Sequence, residues 1–134
     1  METLKAGCIL VDQKNKSIAL IYREKQRDIS FPKGHVEIGE DIITTALRET
    51  AEETKREAII VDGFEPIIER YTTPKGEHCV CYMYIAIDNG PSDNTSEDTH
   101  EVRWTPFDIV EDTLSYETLR ETWRNVKDKI ATLL

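Results

Sequence analysis

One stretch of this sequence, Asp41 to Thr54, repeats its apolar positions at helical spacing, while the stretches around it alternate in the two-residue period of strands. At ~100° per residue, Ile43, Leu47, Thr50 and Thr54 share one helical face. Glu49, Glu52 and Glu53 gather on the opposite face. A helix set between strands has to bury its apolar face on a sheet, which predicts an α/β (α+β) class with a mixed sheet. Strand patterning runs over Lys5 to Gln13, where Ala6, Cys8 and Leu10 alternate with Gly7, Ile9 and Val11. After a polar turn at Lys14-Asn15-Lys16, Ser17 to Glu24 reads as the hairpin partner. Glu24 to Ser30 reads as a charged loop, and Pro32 with Gly34 predicts irregular backbone from Phe31 to Gly34.

Beyond the helix, Ala58 to Tyr71 is β-rich with a break near Asp62-Gly63. A turn at Thr73-Pro74-Lys75-Gly76 leads into a strand over His78 to Asp88, and Asp88 to Thr99 reads as an exposed loop. Glu101 to Thr105 is a short strand. Thr105-Pro106-Phe107-Asp108 resembles a helix start, with a capping hydroxyl and a proline in first position. A last helix is predicted from near Ser115, with the stripe Tyr116, Leu119, Trp123, Val126, Ile130 and Leu133 packed on the sheet. At 134 residues the whole chain, 1–134, is expected to form a single domain.

Charge narrows the function classes. With 26 acids against 17 bases the net charge is −9, which argues against a nucleic-acid polymer or an acidic membrane as partner. A small anion remains compatible if cations gather locally. No apolar run reaches the ~18–20 residues of a membrane span, and Met1 to Lys5 lacks the apolar stretch of a secretory signal. The three cysteines, Cys8, Cys79 and Cys81, form no Cys-x-x-Cys pair and read as reduced thiols. A cytoplasmic location is the expectation.

The acidic helical face admits two readings. Charge runs usually face water, and Arg48, Lys55 and Arg56 would relieve this one. Yet Glu49 and Glu53 are an i,i+4 like-charge pair far from the helix start, which neither the helix nor its dipole rewards. The other reading is a divalent cation: magnesium prefers oxygen ligands and bridges carboxylates to substrate phosphates. The preceding segment, Lys33-Gly34-His35 with Glu37 and Glu40 beside the helix start, suits metal and phosphate together.

Gly34, Glu40 and Arg48-Glu49-Thr50-Ala51-Glu52-Glu53 stand at spacings that resemble the signature of the Nudix hydrolases, G-x5-E-x7-R-E-U-x-E-E-x-G-U, where U is a bulky aliphatic residue. All six charged or glycine positions up to Glu53 are matched within the segment 34–56. Thr50 stands for the first U, Lys55 for the second glycine and Arg56 for the last U. Lys55 predicts a helix that runs slightly further or ends without a left-handed glycine cap.

The resemblance implies a mixed sheet sandwiched between helices, and a magnesium- or manganese-dependent hydrolase acting on a nucleoside diphosphate linked to another group. Carried over residue by residue, Glu49, Glu52 and Glu53 fall on metal-binding and base positions. Glu49 and Glu52 are the candidates for general base, and Glu53 for ligand. Arg48 falls on the arginine that orients the glutamates, and Gly34 on the position whose backbone approaches the metal. Such carboxylates are what the chemistry requires, since attack on a polyphosphate needs charge stabilisation and a proton acceptor. The family often adds another acid from a loop, and Glu97, Asp98 and Glu101 lie in a fitting place before Trp104, although each alone reads as a solvated loop acid.

Phe31-Pro32-Lys33-Gly34-His35-Val36-Glu37 is similar to a segment of the diadenosine polyphosphate hydrolases in this family, with a similar stretch in the diphosphoinositol polyphosphate hydrolases. Arg103-Trp104 adds to that likeness. It implies phosphate contacts from Lys33, His35 and Lys75, and adenine stacking on Tyr82. The expected substrate is a small nucleoside polyphosphate, foremost a diadenosine polyphosphate cleaved to ATP and AMP. Nucleoside triphosphates, diphosphoinositols, and a non-catalytic nucleotide-binding module are the alternatives.

Overall fold

β1 (Thr3–Asp12) is the strand around which the sheet is arranged in the computed structural model, which describes residues 1–97 and 100–134. Its apolar residues point both ways, so both faces must be covered, and they are. On one edge β1 runs parallel to β7 (His78–Pro91), from Thr3 beside Cys79 to Val11 beside Ile87. On the other edge β1 pairs antiparallel with β4 (Lys33–His35) in its first half and with β2 (Ser17–Arg23) at its end. β7 also carries β6 (Ile67–Thr72) and β5 (Arg56–Ile60), while β2 carries β3 (Asp28–Ser30) and β8 (Glu101–Pro106). The sheet is mixed.

Period-two alternation assigns each face a layer. Ala6, Cys8 and Leu10 of β1, with Ala19 and Ala86, pack against Ala46 of α1 (Ile42–Thr54). These small side chains let the helix lie close to the sheet, and the Cys8 thiol donates to the Ala46 carbonyl. The opposite face is bulkier. Ile9, Val11, Ile18, Leu20, Met83 and Ile85 meet Leu119, Trp123, Val126 and Ile130 of α3 (Glu117–Ala131). The short α2 (Val110–Thr113) adds Val110, and Phe107 meets Trp123 edge to face at 5.3 Å. The stripe in α3 is thus a sheet-packing face, with Tyr116 outside it and half exposed. Among the described residues no helix is long and apolar enough to cross a membrane. All three cysteines are buried free thiols.

Several local expectations are corrected. Asp28–Ser30 and Lys33–His35 are strands rather than loop, because β2 and β1 offer open backbone edges and Pro32, which has no N–H to donate, falls between them. β7 continues to Pro91, beyond the expected end at Asp88. No helix starts at Thr105: β8 runs through Pro106, and the Thr105 hydroxyl donates to the Arg103 carbonyl instead of capping. Ser115 precedes α3 and clasps β3, its hydroxyl accepting from Ile29 N (2.7 Å) and its own N–H donating to Ile29 O.

In α1 the burial is rotated from expectation. Ile43 is 49% exposed while Glu53 is only 9% exposed, and the buried face is Thr45, Ala46, Thr50, Glu53 and Thr54. The helix ends at Thr54, as Lys55 itself adopts the left-handed conformation (φ 60°, ψ 27°) and its N–H donates to Ala51 O. The lysine does the backbone work of the missing glycine.

Candidate active site

Asp41 caps α1, its carboxylate accepting from Thr44 N at 2.7 Å. Immediately before it, Glu40 accepts from the Thr45 hydroxyl (2.6 Å) and from Glu37 N (3.2 Å). The loop from β4 to α1 is thereby folded back on the helix. Arg48, two turns along, binds this loop. Its Nε donates to Glu40 Oε2 (2.6 Å), and Nη2 donates to Glu40 Oε1 (2.9 Å) and to the His35 carbonyl (3.0 Å). The remaining nitrogen, Nη1, donates to Glu49 (2.8 Å) and to both oxygens of Glu52 (3.3 Å). Arg48 holds the Glu40 carboxyl down at about 2, with the Thr45 hydroxyl adding to the effect. The same carboxylates, Glu40 first, push the guanidinium further up its already basic range.

Gly34 fixes how close β4 comes to this helix. A Cβ at position 34 would overlap the Glu49 carboxylate, so only glycine permits the contact. Gly34 pairs with Ala6 on β1, which sets the strand's height over α1. Glu37, Glu40, Glu49 and Glu52 thus meet a single Arg48 cation, with Glu37 at 3.8 Å, while Glu53 follows Glu52 on the same helix. The donor set of backbone carbonyl and carboxylate oxygens, in excess over local positive charge, fits a hard divalent cation. Among the described residues no three side chains of His, Cys, Asp or Glu form a ready-made cage. Magnesium commonly binds through one or two carboxylates and fills its other positions with water and substrate phosphate.

The phosphate and base candidates separate. Along β4, Gly34 faces α1 while Lys33 faces the α3 side, opposite Gly7. Lys33 lines a cavity of about 270 Å³ together with Lys5, Arg23, Tyr71 and Tyr116. Its ammonium lies 4.9 Å from the Tyr71 ring centre, and Lys5 lies 5.6 Å from the same ring. His35, at the exposed end of β4, pairs with Lys5 across the ladder. Lys75 is exposed in the turn after β6. Tyr82 is not with them. It pairs with Ala6 and packs on the α1 side of the sheet, away from Lys33.

Sequence reasoning missed Lys5, Arg23, Tyr71 and Tyr116. Period-two alternation would have signalled two of them: Lys5 shares the parity of Gly7 and Ile9, and Tyr71 shares that of Ile67. Arg23 and Tyr116 had no such signal. They reach the rim through Asp28, which binds Arg23 and accepts from the Tyr116 hydroxyl at 2.5 Å. Among the loop acids, Glu97 is exposed, Asp98 lies outside the described residues, and Glu101 pairs with Arg103. The segment 92–97 is tied to the end of α1 by the Lys55 ammonium, which donates to Ser96 O at 2.5 Å.

Known proteins share this fold, and some share part of the sequence. A rat protein named bis(5'-nucleosyl)-tetraphosphatase (asymmetrical) is 31% identical over 94 residues, covering 68% of this chain and 64% of that one. An 8-oxo-(d)GTP phosphatase of Mycolicibacterium smegmatis is 30% identical over 107 residues, 80% of this chain and 32% of the other. The matched stretch is under two thirds of each relative's length. Among solved structures, a C. elegans Ap4A hydrolase superposes with a TM-score of 0.77 at 23% identity, covering 97% of this chain and 99% of that chain. A NUDIX hydrolase from Nitrosomonas europaea gives 0.75 at 17% identity, covering 98% and 90%. The model of the NUDIX domain matches residues 1–129, nearly the whole chain, and the protein belongs to the NUDIX domain family.

Proposed function

We propose that this chain is a metal-dependent pyrophosphohydrolase that cleaves a phosphoanhydride bond of a nucleoside polyphosphate, foremost diadenosine tetraphosphate with water to give ATP and AMP. The observation that carries this reading is the cavity beside β4, in which Lys5, Arg23 and Lys33 stand with two tyrosines in a chain of net charge −9. Cations gathered against the protein's overall charge suit a polyanion, and the faces of Tyr71 and Tyr116 suit a base. β4 is the link. Lys33 looks into the cavity, and Gly34, the next residue, lies against Glu49. A polyphosphate laid along the open edge of this three-residue strand passes from the cations to the carboxylates. The relative named as a tetraphosphatase supports this substrate class.

Glu49, Glu52 and Glu53, with the Gly34 carbonyl, would hold magnesium or manganese. The ion would neutralise charge developing on the non-bridging oxygens. Arg48 keeps Glu49 and Glu52 oriented, and one of these two accepts the proton of the attacking water. Lys33 and His35 meet phosphate, Lys75 extends the cationic rim, and Tyr71 takes the stacking role that the sequence had suggested for Tyr82. The remote nucleotide supplies binding energy that orients the reacting phosphate. A nucleoside triphosphate is the second reading, supported by the relative named as an 8-oxo-(d)GTP phosphatase.

The test is a substrate panel of diadenosine tetraphosphate, ADP-ribose, a nucleoside triphosphate and a diphosphoinositol, each with magnesium and with EDTA. Diadenosine tetraphosphate should turn over fastest, with ATP and AMP in equal amounts, and EDTA should abolish the reaction. Glu53→Gln should lower the rate by ~10²–10⁴-fold. Two ADP per substrate, or wild-type rates for Glu53→Gln, would overturn the reading.

A further inference from the structure

Beneath the cavity lies a buried carboxylate that the proposed chemistry does not use. Glu69, on β6, is 3% exposed. Its Oε2 accepts a hydrogen bond from the Thr122 hydroxyl of α3 at 2.6 Å, while Oε1, equally buried, has no hydrogen-bond donor. Among the described residues its ion-pair partner is Lys33, whose ammonium lies 3.6 Å from Oε1. Glu69 and Tyr71 are two apart on one strand and so face the same side. They meet the Lys33 ammonium from one face, the carboxylate at 3.6 Å and the ring centre at 4.9 Å. Thr122 does not line the cavity, but it fixes the carboxylate that does the holding.

We infer that Glu69 is a positioning residue, which through its Thr122 tether holds the Lys33 ammonium in the cavity ready for an anionic phosphate. The inference rests on the reading of this cavity as the polyphosphate site. A buried carboxylate is costly unless paired, so its place here needs a cation, and Lys33 is the cation within reach. The benefit falls on Lys33. A lysine on a flexible four-carbon stem samples many rotamers, and one held in advance loses little freedom when phosphate arrives. The unsatisfied Oε1 keeps the hold loose enough, at 3.6 Å, for the ammonium to turn toward an incoming anion.

Glu69→Gln keeps the shape and the acceptor for Thr122 but removes the charge. It should raise KM for diadenosine tetraphosphate by about tenfold with kcat within about twofold, a coupling of ordinary size for contacting residues. Thr122→Val leaves the carboxylate in place and frees it, and should raise KM in the same direction with a smaller change. The decisive measurement repeats both substitutions in a Lys33→Met background, where neither should change KM further. If both raise KM equally with and without Lys33→Met, Glu69 acts through the fold and the inference is overturned. If Lys33→Met raises KM but Glu69→Gln and Thr122→Val do not, the inference fails while the cavity reading stands. If Lys33→Met itself leaves KM unchanged, the cavity reading fails, and the inference with it.

Discussion

At Gly7 and Gly34 the absence of a side chain decides two different things. A Cβ at Gly7 would overlap the Pro32 carbonyl and come within 2.7 Å of the Lys33 Cβ, so it would meet backbone that has no room to move. Gly7→Ala should therefore lift β4 off β1 and cost at least the upper end of the ~1–3 kcal/mol of core overpacking, read as a lowered denaturation midpoint. At Gly34 the obstacle is the end of a flexible glutamate. Gly34→Ala should melt close to wild type yet lose activity by about 10²-fold, because Glu49 is pushed from its place. The comparison separates a glycine needed by the fold from one needed by the site. Arg48 and the glutamates were legible in the sequence because their spacing is set by one helix. Tyr71 was not, since it meets Lys33 only after β6 and β4 are laid on opposite edges of the β1–β7 pair.

α1 was legible as a helix from its periodicity, but its orientation was not. A stripe read at 100° per residue assumes that apolar residues face the sheet. Here Cys8, Leu10 and the alanines beneath the helix leave so little depth that threonines fill it, and Thr45 and Thr50 are fully buried while Ile43 stands half out. The strands β3 and β4 were hidden because three residues carry no period, and only a waiting edge makes them strands. The end of α1 offers a direct check. Lys55 sits in a left-handed conformation that costs a non-glycine residue ~1–2 kcal/mol, and its ammonium recovers part of that through Ser96 O. Lys55→Ala removes the recovery and keeps the strain, whereas Lys55→Gly removes both. In urea titrations the glycine variant should be more stable than the alanine variant by about 1 kcal/mol. Equal stabilities would mean that the backbone relaxes out of the left-handed region at no cost.

Acid should unfold the molecule through its bound carboxylates. Glu40 is held at about 2 by Arg48, and Asp28 is held low by Arg23 with help from Tyr116. A carboxyl that is more acidic folded than unfolded adds stability above its unfolded pKa, and that stability is lost as pH falls toward the folded value. The window for Glu40 runs from its ordinary 4.5 down to about 2, so melting temperature should fall steeply across it and stay flatter above. Arg48→Met should shrink that slope. The thiols report opening of the whole core: burial pushes Cys8 up to about 11 and Cys81 to about 12, so a thiol reagent at neutral pH should react only as fast as the protein unfolds. The parallel ladder between β1 and β7 bears on the order of assembly. From Thr3 with Cys79 to Val11 with Ile87, each β1 residue of the ladder has its partner seventy-six positions later. A polypeptide growing from its N-terminus holds β1 without its longest neighbour until residue 87 has emerged. During that interval β1 has β2 and β4 on one edge and α1 over one face while its other edge stays open, and the closing of so wide a loop sets the pace at which the finished sheet forms.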